Sequence, residues 1–183
     1  ICGLSTALFL KQKHPDAQVH VYERGFIPDG ASVRNAGFAC IGSVGELLAD
    51  QDHLSMEQQL QLVEERYRGL ELMRAVLGNE AMGYEASGSY ELFESEEEKQ
   101  KVFEAIPHYN KLLMPISGGE AVFEEAKING KNAVINVLEG TIDTGKMMKT
   151  LLEKVREVGV HLHFNCSIRQ GSTTDEWLLE NGA

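Results

Sequence analysis

The chain has 183 residues, of which 43% are hydrophobic and 25% are charged, the composition of an ordinary globular protein. This length suffices for one domain or for parts of two. The formal net charge of −11 disfavours binding to a nucleic-acid backbone, which needs clustered positive charge. No nucleic-acid partner is therefore expected.

The three cysteines are Cys2, Cys40 and Cys166, and their spacing fits neither a disulfide framework nor a zinc site. An odd, unclustered set of cysteines suits a reducing compartment, so a cytoplasmic location is expected. The histidines show no metal-ligand spacing, and no metal is expected. No apolar run approaches the ~20 residues that a membrane span needs.

The first elements predicted along the chain are a helix and a short strand. Apolar residues at helical spacing predict a helix from Gly3 to Lys13, which Pro15-Asp16 stops. The segment 19–23 predicts a strand. Residues 24–45 are rich in Gly, Ala, Ser and Asn, which is typical of a loop or of a loop entering a short helix.

The middle of the chain combines helices and strands. Ser55 and Gln58 form a capping box at the start of a long helix that should end at Gly78-Asn79. A strand is predicted over 84–93. Ser95 and Glu98 form a second capping box, before a helix that Pro107 should end or kink.

The last third predicts a hairpin, a helix and a strand. Asn129-Gly130 separates two predicted strands, 121–128 and 133–138. Asp143 should cap a helix that stops at Gly159, and a single strand is predicted over 160–168. This order predicts an α/β protein, with a βαβ-type layer at the two ends of the chain and an inserted α+β region between them.

A truncated nucleotide-binding motif opens the chain. In a dinucleotide-binding unit, the last glycine of G-x-G-x-x-G begins a helix, and an acidic residue about 20 positions on binds the ribose hydroxyls. Ile1-Cys2-Gly3 fits the end of that motif, and Glu23 closes the next strand. Because the chain starts inside this motif and not at Met, we expect an N-terminal fragment that lacks the first strand. The half-motif does not by itself separate FAD from NAD.

The segment after Glu23-Arg24-Gly25 favours FAD. Gly30-Ala31-Ser32-Val33-Arg34-Asn35-Ala36-Gly37-Phe38 resembles the loop that runs under the flavin in the D-amino-acid oxidase and glycine oxidase family. Small side chains let the backbone approach a cofactor, and successive N–H groups form an anion nest. Residues 84–92 resemble the first substrate-domain strand of that family. Glu139-Gly140-Thr141-Ile142-Asp143 resembles its return to the FAD domain, with Thr144 where proline is usual.

The resemblance implies a Rossmann-like FAD-binding fold with an inserted α+β substrate domain, both incomplete. It implies an FAD-binding domain at 1–45, an inserted region at 46–138, and a continued FAD-binding domain at 139–183. The aliphatic residue that contacts the adenine through its main chain in relatives maps to Ile168. The residues expected to bind FAD are Gly3, Glu23, Arg24, Ala31, Ser32, Asn35, Ala36, Gly37, Phe38 and Ile168.

The implied activity is oxidation of an amine or amino acid, such as a D-amino acid, glycine or a sarcosine-like compound. Hydride transfer from Cα–H to the flavin would give an imine, and oxygen or a quinone would reoxidise the flavin. The family's catalytic residues lie in a C-terminal half, so none is assigned here. The alternatives are an NAD-dependent dehydrogenase, which leaves the 31–38 loop unexplained, and a non-catalytic nucleotide-binding domain.

Overall fold

The structure, a computed structural model, describes residues 1–171, 173 and 176–181. It divides into two compact units, one formed by residues 1–36 and 143–183 and the other by residues 37–142. Gly182 and Ala183, at the end of the predicted third segment, lie outside the described residues. The functional division at residues 45 and 138 stays a prediction.

The secondary structure alternates between helices and short strands. In chain order the elements are α1 (Cys2–Lys13), β1 (His20–Tyr22), β2 (Phe38–Ala39), α2 (Val44–Asp50), α3 (Met56–Leu77), α4 (Asn79–Met82), β3 (Ser89–Leu92), α5 (Glu96–Ser117), β4 (Phe123–Ile128), β5 (Lys131–Asn136), β6 (Gly140–Thr141), α6 (Thr144–Glu157), β7 (His161–His163), β8 (Cys166–Gln170) and β9 (Trp177–Asn181).

The first unit contains a parallel strand pair with helices packed beside it. β1 pairs in parallel with β7, with Val21 opposite Leu162. Parallel neighbours need a crossover connection, as in α/β folds. α1 contacts α6, and both helices bury one apolar face; the buried residues are Leu4, Ala7, Leu8, Met147, Met148, Leu151 and Val155. The predicted cap is confirmed, because Asp143 Oδ1 accepts from Lys146 N at 2.9 Å.

The prediction of one strand over residues 160–168 is wrong. Asn165 has a φ of 54°, in the left-handed region, and this breaks the segment into β7 and β8. The backbone N–H of Asn165 donates to Gly25 O at 2.8 Å, away from a strand ladder. β8 then pairs antiparallel with β9.

The second unit contains a three-stranded antiparallel sheet in the order β3-β5-β4. Asn129 and Gly130 both have positive φ, 51° and 78°, as a tight hairpin turn requires, and the predicted hairpin is confirmed. β2 pairs antiparallel with β6, with Ala39 opposite Gly140. Between them these pairings tie together parts of the chain that are distant in sequence.

The helices of the second unit cover its core. The capping box of α3 is complete, since Ser55 and Gln58 exchange both hydrogen bonds. At α5, Ser95 Oγ accepts from Glu98 N, but the Glu98 carboxylate accepts from Glu94 N and not from the cap residue. α5 continues through Pro107 to Ser117, so the helix does not end at that proline. The core contains Ile41, Val44, Leu47, Val63, Val102, Ile106, Tyr109, Leu113, Val122, Phe123 and Val134.

These observations confirm the predicted fold class, a Rossmann-like α/β layer combined with an α+β region. Parallel pairing of β1 and β7 supplies the first, and the antiparallel β3-β5-β4 sheet with α3 and α5 supplies the second.

Candidate cofactor-binding site

A cleft of about 230 Å³ opens in the first unit at the carboxyl ends of β1 and β7. Ligands of open α/β sheets bind at this end of parallel strands. The start of α1, the loop after β1 and one face of α6 complete the lining. The lining residues are Ile1, Gly3, Leu4, Val21, Tyr22, Glu23, Pro28, Asp29, Gly30, Ser32, Met148, Leu152, Leu162, His163 and Phe164.

The amino-terminal end of α1 borders this cleft through Ile1, Gly3 and Leu4. Ile1 is the N-cap residue, and within the part of the chain that the structure describes no side chain caps this helix end. The early N–H groups of a helix have no partner inside the helix, and they carry a partial positive charge. A Cβ added to Gly3 would meet no atom within 4 Å, so the backbone here borders open space.

Glu23 is held in place by backbone hydrogen bonds to the end of β7 and to the start of β8. Its backbone N–H donates to His163 O at 2.8 Å, and its carbonyl accepts from Cys166 N at 3.0 Å. The side-chain Oε1 accepts from Gly25 N at 2.8 Å. These bonds fix both the position and the direction of a half-buried carboxylate in the cleft wall.

The loop after β1 is folded onto itself. The carbonyl of Gly30 accepts from Val33 N and Arg34 N, at 3.1 and 3.2 Å. Asn35 Nδ2 donates to Ala31 O at 2.9 Å and to Ser32 O at 3.2 Å. The amide of Asn35 therefore closes a compact turn.

Arg34 pairs with an acidic neighbour on the same loop. Its Nε donates to Asp29 Oδ1 at 2.8 Å, and both side chains are largely exposed. An exposed ion pair contributes little to stability, about 0–1 kcal/mol. Arg34 is therefore paired within its own loop.

Two polar side chains tie this loop to its surroundings. Ser32 Oγ accepts a hydrogen bond of 3.1 Å from the terminal ammonium group of Ile1. Thr144 Oγ1 donates to Val33 O at 3.3 Å. Thr144 stands where the resembled family usually has proline, and its hydroxyl gives the start of α6 a contact to the loop that proline lacks.

Gly37 and Phe38 belong to the second unit. Gly37 is buried with a φ of 74°, and its carbonyl accepts from Ile142 N at 2.7 Å. Phe38 pairs with Thr141, and 64% of its surface is exposed.

Of the residues predicted to bind the cofactor, three line the cleft: Gly3, Glu23 and Ser32. The lining does not include Arg24, Ala31, Asn35 or Ala36, although all four are exposed on the adjoining loop. Ile168 lies in β8, 43% exposed, and is not part of the lining. The assignment of these residues stays a prediction.

Sequence reasoning missed several residues of the cleft. Met148, Leu152 and His163 line the cleft, and the sequence assigned no cofactor-binding role to them. Pro28 and Asp29 precede the segment that carries the resemblance, and Gly30 begins it. His163 and Phe164 could have been found from the rule that ligands of open α/β sheets bind at the carboxyl ends of parallel strands.

The charge of the cleft is unusual for an anion site. Its described lining contains the acidic residues Glu23 and Asp29 and neither Lys nor Arg. A phosphate group here would therefore depend on backbone N–H groups, and the amino-terminal end of α1 would supply them.

Among the described residues, no three His, Cys, Asp or Glu side chains are grouped so that they could hold a metal ion. Within the same residues, no helix is long and apolar enough to cross a membrane.

Several solved structures share this fold. Glycine oxidase from Bacillus cereus aligns with 98% of this chain and 50% of its own, at 16% identity and a TM-score of 0.64. L-amino acid deaminase from Proteus vulgaris aligns with 94% of this chain and 39% of its own, at 20% identity and a TM-score of 0.62. Iminodiacetate oxidase from Chelativorans sp. aligns with 98% and 49%, at 18% identity and a TM-score of 0.64.

At these identities the similarity establishes the fold alone, and the chain spans half or less of each of these proteins. No curated protein matches the sequence. The family model of FAD-dependent oxidoreductases (DAO) matches residues 1–182. Because that match covers nearly the whole sequence, the chain belongs to the family of FAD-dependent oxidoreductases.

Proposed function

We propose that the chain carries the FAD-binding part of an oxidoreductase that oxidises an amine or an amino acid. The observation that carries the proposal is the cleft of the first unit, which Glu23 and Ser32 line together with Gly3 at the start of α1. A dinucleotide requires an acceptor for its ribose hydroxyls, a backbone that can approach its pyrophosphate closely, and N–H groups that donate to its phosphates.

The residues of the cleft fit FAD. The Glu23 carboxylate would accept from the ribose hydroxyls of the adenosine half, because an ionised carboxylate is an acceptor only. The first-turn N–H groups of α1 would face the pyrophosphate. A Cβ at Gly3 or at Gly30 would stand in open space, so the backbone at both glycines is accessible to a ligand.

The 31–38 loop is proposed to continue this site toward the flavin. Ser32 would offer its hydroxyl to a phosphate or ribityl oxygen. Asn35 uses its side-chain amide to hold the turn closed, so its role would be to shape the loop. Ala36 and Gly37 would let the backbone run close to the ring. Arg24, Ala31, Phe38 and Ile168 complete the proposed set.

FAD, when bound, would supply the redox chemistry: the substrate Cα–H bond would break as a hydride leaves for the flavin, and loss of a proton from the substrate nitrogen would give the imine. The part played by this chain is to bind and orient the cofactor. The proposed substrate is a small amine or amino acid, a D-amino acid, glycine or a sarcosine-like compound. Oxygen or a quinone is the proposed electron acceptor.

The fold neighbours named glycine oxidase and iminodiacetate oxidase favour substrates of this class. A cytoplasmic location is proposed with this activity, because the three cysteines form no disulfide framework.

Flavin analysis of the intact protein tests the proposal. The protein is denatured and the released cofactor is identified by chromatography, and the native protein is then mixed anaerobically with glycine, sarcosine and a set of D-amino acids. We expect release of FAD and bleaching of the flavin absorption by at least one of these substrates. FAD without bleaching would reject this substrate class. Release of FMN, or no flavin uptake after reconstitution, would reject the cofactor assignment.

A further inference from the structure

Glu139 is a buried carboxylate that holds three parts of the second unit together. Only 2% of its surface is exposed. Its Oε1 accepts from Ile41 N at 2.5 Å and from Gly42 N at 2.8 Å. Its Oε2 accepts from the hydroxyl of Ser89. All three partners donate, which matches a carboxylate that acts as acceptor only.

The segment that Glu139 holds is the continuation of the 31–38 loop. Gly37, Phe38 and Ala39 are fixed by backbone bonds to the stretch 140–142. Ile41 and Gly42, which come next, are fixed by the side chain of Glu139. A single stretch, residues 139–142, therefore anchors the whole segment 37–42.

Loss of Glu139 would leave Ile41 N and Gly42 N without the partner that they have in the folded protein. Both residues are buried, so water does not replace a lost partner easily. Gly42 has a φ of 138°, and its carbonyl already accepts from Asn136 Nδ2 at 2.9 Å. Bonds from backbone N–H to an ionised carboxylate are among the strong hydrogen bonds of proteins.

We propose that Glu139 is a positioning residue for the cofactor: its side chain fixes Ile41 and Gly42, the end of the segment 37–42, and so limits the movement of Gly37 and Phe38 relative to the flavin. This inference rests on the proposed function, because it assigns Gly37 and Phe38 to the flavin site. A residue with this role acts without touching the cofactor. Its loss would misplace the segment, and a misplacement of about 1 Å can cost roughly a hundredfold in rate.

The matched control is Asn110, which makes the same kind of contact elsewhere in the unit. Its Oδ1 accepts from two adjacent buried amides, Val122 N at 2.9 Å and Phe123 N at 2.8 Å. Asn110→Ala and Glu139→Ala therefore each leave two neighbouring buried N–H groups without their partner. Only the second change releases Ile41 and Gly42, at the end of the segment 37–42.

The variants Glu139→Ala, Glu139→Gln and Asn110→Ala are compared with the parent as intact proteins. Three quantities are measured: the FAD dissociation constant, the visible flavin spectrum, and the amide hydrogen exchange of residues 41 and 42 without FAD. We expect both alanine variants to unfold at lower temperature. Glu139→Ala alone should weaken FAD binding about tenfold or more, alter the flavin spectrum and speed exchange at residues 41 and 42. Glu139→Gln should restore most of the loss, since its amide oxygen still accepts and its NH₂ donates to the Ser89 hydroxyl.

The inference is overturned if Glu139→Ala binds FAD like the parent, or if Asn110→Ala loses as much affinity. Should Glu139→Ala not fold, Ser89→Ala removes the anchor of Oε2 alone and must still speed exchange at residues 41 and 42. A parent that binds no FAD rejects the proposed function, whereas the exchange rates without FAD still decide whether Glu139 holds the segment.

Discussion

Gly37 combines a buried position with a backbone conformation that other residues rarely adopt. Its φ of 74° lies in the left-handed region, where a side chain costs about 1–2 kcal/mol and a β-branched one more. Sequence resemblance pointed to residue size as the reason for glycine at this position. The structure adds the backbone conformation, a second reason that does not depend on the cofactor.

Gly37→Val should lower both the stability of the protein and its affinity for FAD. The valine would force the backbone out of the left-handed region and shift the carbonyl that accepts from Ile142 N. Gly118→Val is the matched control, because Gly118 has a φ of 75° at the end of α5 with no atom within 4 Å of an added Cβ. FAD titrations should show weaker binding for Gly37→Val only. Equal FAD affinity in Gly37→Val and the parent would remove the 37–38 segment from the proposed site.

Glu91 is a second carboxylate of the same unit, and its environment is less favourable than that of Glu139. Its Oε1 accepts from Ser43 Oγ at 3.0 Å and from Gly45 N at 2.9 Å. Its Oε2 is buried, and among the described residues it has no hydrogen-bond partner. Burial raises the pKa of Glu91 and Glu98 adds to this, while the bonds from Ser43 and Gly45 partly oppose the shift.

A raised pKa makes the contribution of Glu91 to stability depend on pH. Because the folded protein binds this proton more tightly than the unfolded chain, the contribution is fully present below about pH 4.5 and is lost as pH rises through the folded pKa. Urea unfolding of the parent and of Glu91→Gln between pH 4 and 7 should therefore show the variant gaining stability relative to the parent as pH rises. Parallel pH profiles would contradict this account of Glu91.

At the level of elements, local sequence signals predicted well where the stabilising contacts are local. The capping box at Ser55 and the turn at Asn129-Gly130 depend on residues at most three positions apart, and the structure contains both. The cap at Asp143 has the same origin.

The predictions failed where distant contacts decide the structure. β2 has only two residues, and its partner β6 lies about a hundred positions further along the chain, so nothing local marks it within the predicted loop. Asn165 breaks the strand predicted over 160–168 through a bond to Gly25, a residue far away in sequence. The end of the helix predicted as one outcome at Pro107 is absent, because a buried face that includes Ile106 and Tyr109 packs into the core; a kink there, the other predicted outcome, stays a prediction.

The candidate site shows the same division. The spacing from Gly3 to Glu23 could be predicted, because the helix and strand that set it, α1 and β1, are consecutive in the sequence. The role of Glu139 could not, because its partners Ile41, Gly42 and Ser89 lie about 50 to 100 positions away. A glutamate before a glycine carries no signal of burial in the sequence alone.

At the level of the whole molecule, the acidic character of the chain constrains how it can bind a cofactor that contains two phosphates. The net charge is −11, and the described lining of the cleft includes no Lys or Arg. Affinity would then depend on directed contacts, the N–H groups of α1 and the Glu23 carboxylate, and not on general electrostatic attraction. The account predicts weak dependence of FAD binding on salt and strong dependence on Glu23.

The most direct test of the account is the FAD affinity of the intact protein after Glu23→Ala. The parent apoprotein, Glu23→Ala and the control Asp16→Ala, at an exposed residue outside the cleft, are titrated with FAD and with FMN. Loss of hydrogen bonds to a charged group costs about 1.5–3 kcal/mol, roughly a tenfold to hundredfold weaker affinity. We predict that loss for FAD in Glu23→Ala only, with FMN bound poorly by all three proteins. Parent-like FAD affinity in Glu23→Ala would contradict the assignment of this cleft to the adenosine half of FAD.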